Sequence, residues 1–191
     1  MIRHAIITDV PRIAELIAQH ARFGKMLFRS HAELYETLRD FMVYEAAENA
    51  PEGHSRIIGV CALEIVWADL AEVKSLSVDT DFQGRGIGRQ LVDAVVREAL
   101  ALRLRRVFAL TYEQRFFEKL GFHIVEKSAL PLKVWSDCVK CPKRDACDEI
   151  AVVRDLLPGP ALNEIRADQV ENQHYEVPTP LVKLNIRLTG K

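Results

Sequence analysis

The sequence predicts an α/β (α+β) fold built around a central mixed sheet, and three observations carry that prediction. Strand-like runs at Ile2 to Ile7, Phe41 to Ala47, Arg56 to Trp67 and Ala71 to Val78 gather in the first half of the chain. Apolar residues recur at helical spacing elsewhere, most clearly at Leu91, Val92, Val95, Val96, Ala99 and Leu102. The glycine-rich run Gln83-Gly84-Arg85-Gly86-Ile87-Gly88 joins one such strand to that helix. With 191 residues, the chain has room for one well-buried domain plus an appendage.

The elements follow in order. Thr8 and Asp9, with Pro11 in the first turn, start a helix that carries Ile13, Leu16 and Ile17 on one face. Ser30 followed by Glu33 is a capping box, which predicts a second helix from His31 to Arg39. The runs 41–47 and 56–67 flank turn-forming Glu48-Asn49-Ala50-Pro51-Glu52-Gly53 and read as an antiparallel hairpin. Ala71 to Val78 alternates Val73, Ser75 and Ser77 against Glu72, Lys74, Leu76 and Val78. Arg106 to Thr111 is a short apolar strand, and Arg115 to Leu120 is a helix stopped by Gly121. Phe122 to Glu126 returns as a strand. Leu157-Pro158-Gly159-Pro160 then sets off a polar tail, extended from Tyr175 to Leu188, so the expected division is a domain over 1–156 and an extension over 157–191.

Composition narrows the partners. A formal net charge of -1 supplies no broad electropositive field, which argues against nucleic acid as the partner. Arg3, His4, Asp9, Arg12 and Glu15 interrupt any apolar core a secretory signal would need, so a cytoplasmic location is expected. The longest nearly uncharged stretch, Ile57 to Leu63, falls far short of the roughly 20 apolar residues of a membrane helix. No membrane partner is expected.

The glycine turn separates three kinds of nucleotide cradle. Gly84, Gly86 and Gly88 do not fit the dinucleotide frame, whose third glycine comes one residue later, and no acidic residue follows at the required distance. A P-loop is excluded because no Gly-Lys-Ser/Thr follows. What remains is a turn whose amides face an anion at a helix N-terminus, with Gln83, Arg85 and Arg89 able to add hydrogen bonds, or a glycine-rich turn that only starts a helix.

With their flanks, these residues resemble a known family. Ala71 to Val78, Gln83 to Gly88 and Phe117-Glu118-Lys119-Leu120-Gly121-Phe122 resemble the successive motifs of the GCN5-related N-acetyltransferases (GNAT), over roughly residues 1 to 156. The resemblance implies a mostly antiparallel, twisted sheet flanked by helices, with acetyl-CoA as cosubstrate. It implies a coenzyme A site made from Leu76, Ser77 and Val78 on the strand, from Gln83, Gly84, Arg85, Gly86, Ile87, Gly88 and Arg89 in the turn, and from Phe116, Phe117 and Lys119. Leu110 to Glu113 and the stretch from Leu130 to Glu149 look like the short bacterial amino-acid N-acetyltransferases that make N-acetylglutamate, the opening step of arginine synthesis. L-glutamate is the leading acceptor and glutamine the second; another small amine or a protein N-terminus is the alternative within the class.

Acetyl transfer needs an acceptor for the ammonium proton, and Glu72 and Glu113 are the candidates beside ordered water. Many family members carry a tyrosine where this chain has Phe117; Tyr112 is the substitute acid. That missing tyrosine, with the unassigned tail, motivates a reading from a different class, a non-catalytic acetyl-CoA-binding module. A glutamate-like acceptor calls for cations, for which Lys74, Arg29 and Lys133 stand out. Each of these charged residues can equally be a solvated surface charge. Cys138, Cys141 and Cys147 supply only three thiolates near one another in sequence, so no metal is assigned. Homodimerisation is compatible with the extended tail.

Overall fold

Asp9 sets where the first strand ends. Its carboxylate accepts the Ile6 amide at 2.9 Å and the Arg3 guanidinium at 2.7 Å, which folds Ile7–Asp9 into a 3₁₀ turn. Burial opposes the charge on Asp9, but Arg3 and the Ile6 amide outweigh it and hold the carboxyl below its ordinary range. Strand β1 is therefore Ile2–His4, shorter than the Ile2 to Ile7 run. The computed structural model describes residues 1–46, 57–130, 141, 143 and 146–159. The expected turn at 48–53, Lys133, Cys138 and the tail from residue 160 onward lie outside the described residues.

Helix α1 (Val10–Ala21) has Pro11 in its first turn and buries Val10, Ile13, Leu16 and Ile17. Ser30 accepts the Glu33 amide, and Glu33 returns a bond to the Ser30 amide at 2.9 Å, so the capping box opens α2 (His31–Glu36). The helix is shorter than His31 to Arg39 because Leu38–Asp40 tightens into a 3₁₀ turn before β2 (Phe41–Glu45). Strands β3 (Ile57–Trp67) and β4 (Leu70–Val78) follow, then α3 (Ile87–Ala101), β5 (Arg106–Thr111) and α4 (Gln114–Glu118). Gly121, at φ 82°, closes α4: its amide and that of Phe122 bond back to Glu118 and Phe117. Strand β6 (His123–Val125) is shorter than the Phe122 to Glu126 run, and β7 (Ile150–Asp155) is a strand the periodicities did not reveal.

Among the described residues the sheet has seven strands, in the order β1-β2-β3-β4-β5-β7-β6. Every neighbouring pair is antiparallel except β4 with β5. This is the mixed, mostly antiparallel sheet expected. Two cores lie on its faces. Against α3 pack Cys61, Leu63, Ala71, Val73 and Val107, together with Phe117 and Phe122. Against α1 and α2 pack Phe41, Val43, Val60 and Ala62. Met1–Gly159 forms one compact unit.

One irregularity in β4 changes the sequence-based pattern. Val60 pairs with Ser77 but Ala62 pairs with Lys74, so Ser75 and Leu76 together oppose Cys61 and form a β-bulge. Ser75 takes up the extra residue at φ 53°, in the left-handed region. Beyond the bulge the faces exchange. Leu76 and Val78 join Ala71 and Val73 on the α3 side, whereas Ser77 turns to α1 and donates to the Leu16 carbonyl at 2.6 Å. Lys74 consequently shares a face with Glu72 and Ser77, not with Leu76; strict alternation across the strand fails at this point. Replacing Ser75 with Val should cost about 1–2 kcal/mol, because a β-branched residue fits the left-handed region poorly. Urea unfolding of the two proteins measures this, and equal midpoints would show that the bulge relaxes.

Candidate functional site

The parallel ladder between β4 and β5 runs from Leu70↔Arg106 to Glu72↔Phe108 and stops there. Both strands continue, β4 to Val78 and β5 to Thr111, each paired on its outer side: Val78 with Gly59 of β3, Thr111 with Ile150 of β7. The two strands therefore fork. Glu72 stands at the apex of the fork, and the main chain of β4 that faces away from β3 borders the opening. A segment of extended ligand can pair with such a strand edge.

The glycine turn lies at the far end of β4. A 3₁₀ turn, Thr80–Phe82, leads into Gln83, after which Gly84 and Gly86 have φ of 74° and 77°. Gly86 is the residue before α3 in left-handed conformation, and the first helical bond runs from the Gln90 amide to its carbonyl. The amides of Ile87, Gly88 and Arg89 thus open the helix without intrahelical acceptors. A Cβ placed on Gly84 or Gly86 would meet nothing within 4 Å. The turn faces open space, and the positive φ of Gly84 and Gly86 is what requires glycine there; the free amides of such a turn can bind an anion. Gly88 lies against the Phe116 ring, 3.6 Å from where its Cβ would be.

The arginines and phenylalanines divide. Arg85 stacks over Phe82 at 5.0 Å and donates to the Asp81 carbonyl at 3.1 Å. Arg89 is exposed and lies 3.7 Å from Asp93. Phe117 is buried in the α3-side core, edge-on to Phe116 and Phe122, and so belongs to the core. Lys119 is exposed at the end of α4. Ile87 is buried, and Gln83 donates to the Val78 carbonyl at 3.2 Å. The same carbonyl receives His20 Nε2 from α1 at 3.1 Å, a contact that sequence spacing does not hint at.

On the α1 side of the fork sits a cluster of charges. Glu72 and Glu64 face each other directly across β4 and β3. Like charges so placed repel, and Lys74 offsets this by bonding Glu64 and lying 3.7 Å from Glu72. Asp40, just before β2, is raised above the ordinary carboxylate range by burial and then by the charge of Glu64, with Lys74 and Arg29 acting in the opposite sense. Arg29 thus belongs to the same electrostatic neighbourhood as Lys74. Asp40 and Glu64 were not among the residues singled out from sequence. The signal for Glu64 was present: a carboxylate inside the apolar run Cys61 to Trp67 needs a partner.

Tyr112 and Glu113 lie at the end of β5. Burial, then the charges of Glu149 and Asp148 and a hydrogen bond to Asp148, push the Tyr112 hydroxyl up, so its proton is held toward Asp148. Lys143 Nζ sits 5.1 Å from the Tyr112 ring centroid and donates to the Gly24 carbonyl at 3.2 Å. Lys25 reaches Glu113 at 3.7 Å. The loop after α1 is thereby tied to the end of β5. Glu113 is 68% exposed against 15% for Glu72, so Glu72 is the more sheltered carboxylate. Cys61 is fully buried, its thiol pushed far up by burial. Among the described residues no cluster of His, Cys, Asp and Glu could hold a metal ion, and no helix is long and apolar enough to cross a membrane.

Comparison with known proteins agrees with the family resemblance of the glycine turn and its flanks. Residues 37–124 match the family model described as acetyltransferase (GNAT) domain. An uncharacterised N-acetyltransferase of Chlorobaculum tepidum is 37% identical over 155 residues, covering 81% of this chain and 96% of that protein. An amino-acid acetyltransferase of Mycobacterium tuberculosis is 35% identical, covering 72% of this chain and 76% of that protein. The crystal structure of N-acetylglutamate synthase from Neisseria gonorrhoeae, complexed with coenzyme A and N-acetyl-glutamate, superposes with a TM-score of 0.71 at 27% identity. That match covers 83% of this chain but 35% of the synthase. The chain belongs to the GNAT family of acetyltransferases. It is an N-acetyltransferase that uses acetyl-CoA as its cosubstrate.

Asp40 offers a test of the charge cluster through stability. A carboxyl raised in the folded state holds its proton longer there than in the unfolded chain. Its contribution is therefore full below the unfolded value and is lost as pH rises through the folded one. Relative to Asp40→Asn, which does not titrate, the natural protein should lose stability as pH climbs from about 3.9, the ordinary aspartate value, toward neutrality. Chemical unfolding of both proteins across that range measures the difference, and a constant difference would mean Asp40 titrates normally.

Proposed function

We propose that this enzyme transfers acetyl to the α-amino group of an amino acid, with L-glutamate the leading acceptor, and so serves as an N-acetylglutamate synthase at the opening of arginine synthesis in the cytoplasm. The observation that carries the reading is cationic Lys74 beside sheltered Glu72 on one side of the fork, with the charge of Arg29 acting on Asp40 in the same cluster. An acidic amino acid needs cations for its carboxylates and a nearby base for its ammonium. The names of the Mycobacterium and Neisseria relatives support the same class of acceptor. The proposal takes 1–156 as the acetyltransferase domain and 157–191 as an extension, with a homodimer as the assembly.

In this reading the open glycine turn, Gln83 to Arg89, takes the pyrophosphate of coenzyme A, with Phe116 beside Gly88 and the β4 edge at Leu76 to Val78 alongside the pantetheine arm. Acetyl-CoA supplies the thioester. Glu72 accepts the proton of the ammonium directly or through water, with Glu113 the second candidate. Tyr112, at the end of β5, is the candidate donor to the departing thiolate; its proton would have to leave the bond to Asp148 to be transferred. Phe117 cannot fill that role, since it carries no hydroxyl.

Release of free thiol, followed with a panel of amino acids and acetyl-CoA, should be fastest with glutamate; a polyamine or peptide N-terminus outrunning every amino acid would sink the assignment. Gly86→Val should raise the Michaelis constant for acetyl-CoA by about tenfold or more, through strain at positive φ and bulk at the anion's approach, with the acceptor constant little changed. Lys74→Ala should do the reverse, raising the constant for the amino acid far more than that for acetyl-CoA. Equal effects on both would remove Lys74 from the acceptor site.

A further inference from the structure

The acceptor reading meets a difficulty in the charges. Lys74, its leading carboxylate ligand, already has two carboxylates: it bonds Glu64 and lies 3.7 Å from Glu72. A third carboxylate added to that set would face two like charges for one lysine. The two glutamates are not equivalent, however. Lys74 is 11% exposed and Glu72 15%, so both are held within the protein. Glu64 is 39% exposed, at a point where its side chain can turn into water.

We propose that Glu64 is a displaceable counter-ion that occupies the acceptor's carboxylate position on Lys74 until an acidic acceptor replaces it. A sheltered ammonium needs a counter-charge at all times, because leaving it unpaired is costly. Of these two carboxylates Glu72, at 3.7 Å, is the looser partner, and Glu64 is the one bonded to Lys74 in the resting enzyme. When the acceptor carboxylate arrives, Glu64 rotates outward and rehydrates. One carboxylate on Lys74 is exchanged for another, so the charge beside Glu72 is unchanged by the swap.

The exchange has a consequence for selectivity. An acceptor without a suitably placed carboxylate cannot pay back the lost Glu64–Lys74 contact, so it leaves Glu64 in place and finds the position filled. Glu64 therefore acts as a specificity-determining residue, in competition with the substrate and not in contact with it. This inference rests on the acidic-acceptor reading above.

Glu64→Gln removes the competing charge and keeps the side-chain shape. For an exposed partner, relief of the competition corresponds to roughly a two- to fivefold fall in the Michaelis constant for glutamate, with the change confined to that constant and none in that for acetyl-CoA. Calorimetric titration of glutamate into the full chain with coenzyme A present should show the same tightening. A purely structural ion pair predicts the opposite: Glu64→Gln and Glu64→Ala would both raise the constant for glutamate, and that result, or an unchanged constant, overturns the exchange. Natural enzyme that acetylates other amines but neither acetylates nor binds glutamate would overturn the acceptor reading itself and the exchange with it. Natural enzyme active on glutamate with no gain in Glu64→Gln would overturn the exchange alone.

Discussion

The extra residue in β4 is the constraint on which the site depends. With Ser75 at positive φ, the strand absorbs one more residue than its β3 partner. Bulges bend a strand and increase its twist, and here β4 pairs with β5 only as far as Glu72 and Phe108. Beyond that point β4 stays with β3 and β5 stays with β7. The result is a fork between two parallel strands, with main chain along one side, where the proposed reading lays the cosubstrate. The face exchange at the bulge also seats Leu76 and Val78 in the α3 core while turning Ser77 into α1. Both helices are thereby fastened to the strand that borders the opening.

Helix α1 is attached along its length to that same strand end. Arg12 bonds the buried Asp79, which also holds the Asp81 amide at 3.2 Å. Leu16 receives Ser77, and His20 donates to the Val78 carbonyl. The turn that leads to Gly84 is thus fixed from the α1 side before the glycines begin. This matters because Gly84 and Gly86 stand in the open, where an added Cβ would meet nothing within 4 Å. A cradle for an anion must be rigid at its ends and uncovered in the middle.

Electrostatics divides the fork into two rims. On one, Lys74 mediates between Glu64 and Glu72, with Asp40 and Arg29 within electrostatic reach. On the other, Tyr112 is surrounded by Glu149 and Asp148 and covered by Lys143. Neither rim resembles a generic basic pocket. Carboxylates are abundant on both, and on each they lie beside a lysine.

The sequence by itself determined much of this protein. The capping box at Ser30 and Glu33, the proline at the start of α1, the helical spacing from Leu91 to Ala99 and the cap at Gly121 are local matters, decided by residues three or four apart. The glycine turn belongs with them, since its conformation depends on its own backbone. Tertiary structure alone decided the rest. Ser75 carries no local mark of a bulge, because a bulge is a mismatch between two strands and is invisible in either one. Strand β7 depends on pairing with β5 and β6, both distant in sequence. Phe117 reads as a motif residue but its surroundings make it core. Glu64 and Lys74 are ten positions apart and meet only because β3 and β4 pair in this register. Charges acquire their chemistry from neighbours across a sheet, and those neighbours exist only once the strands have paired.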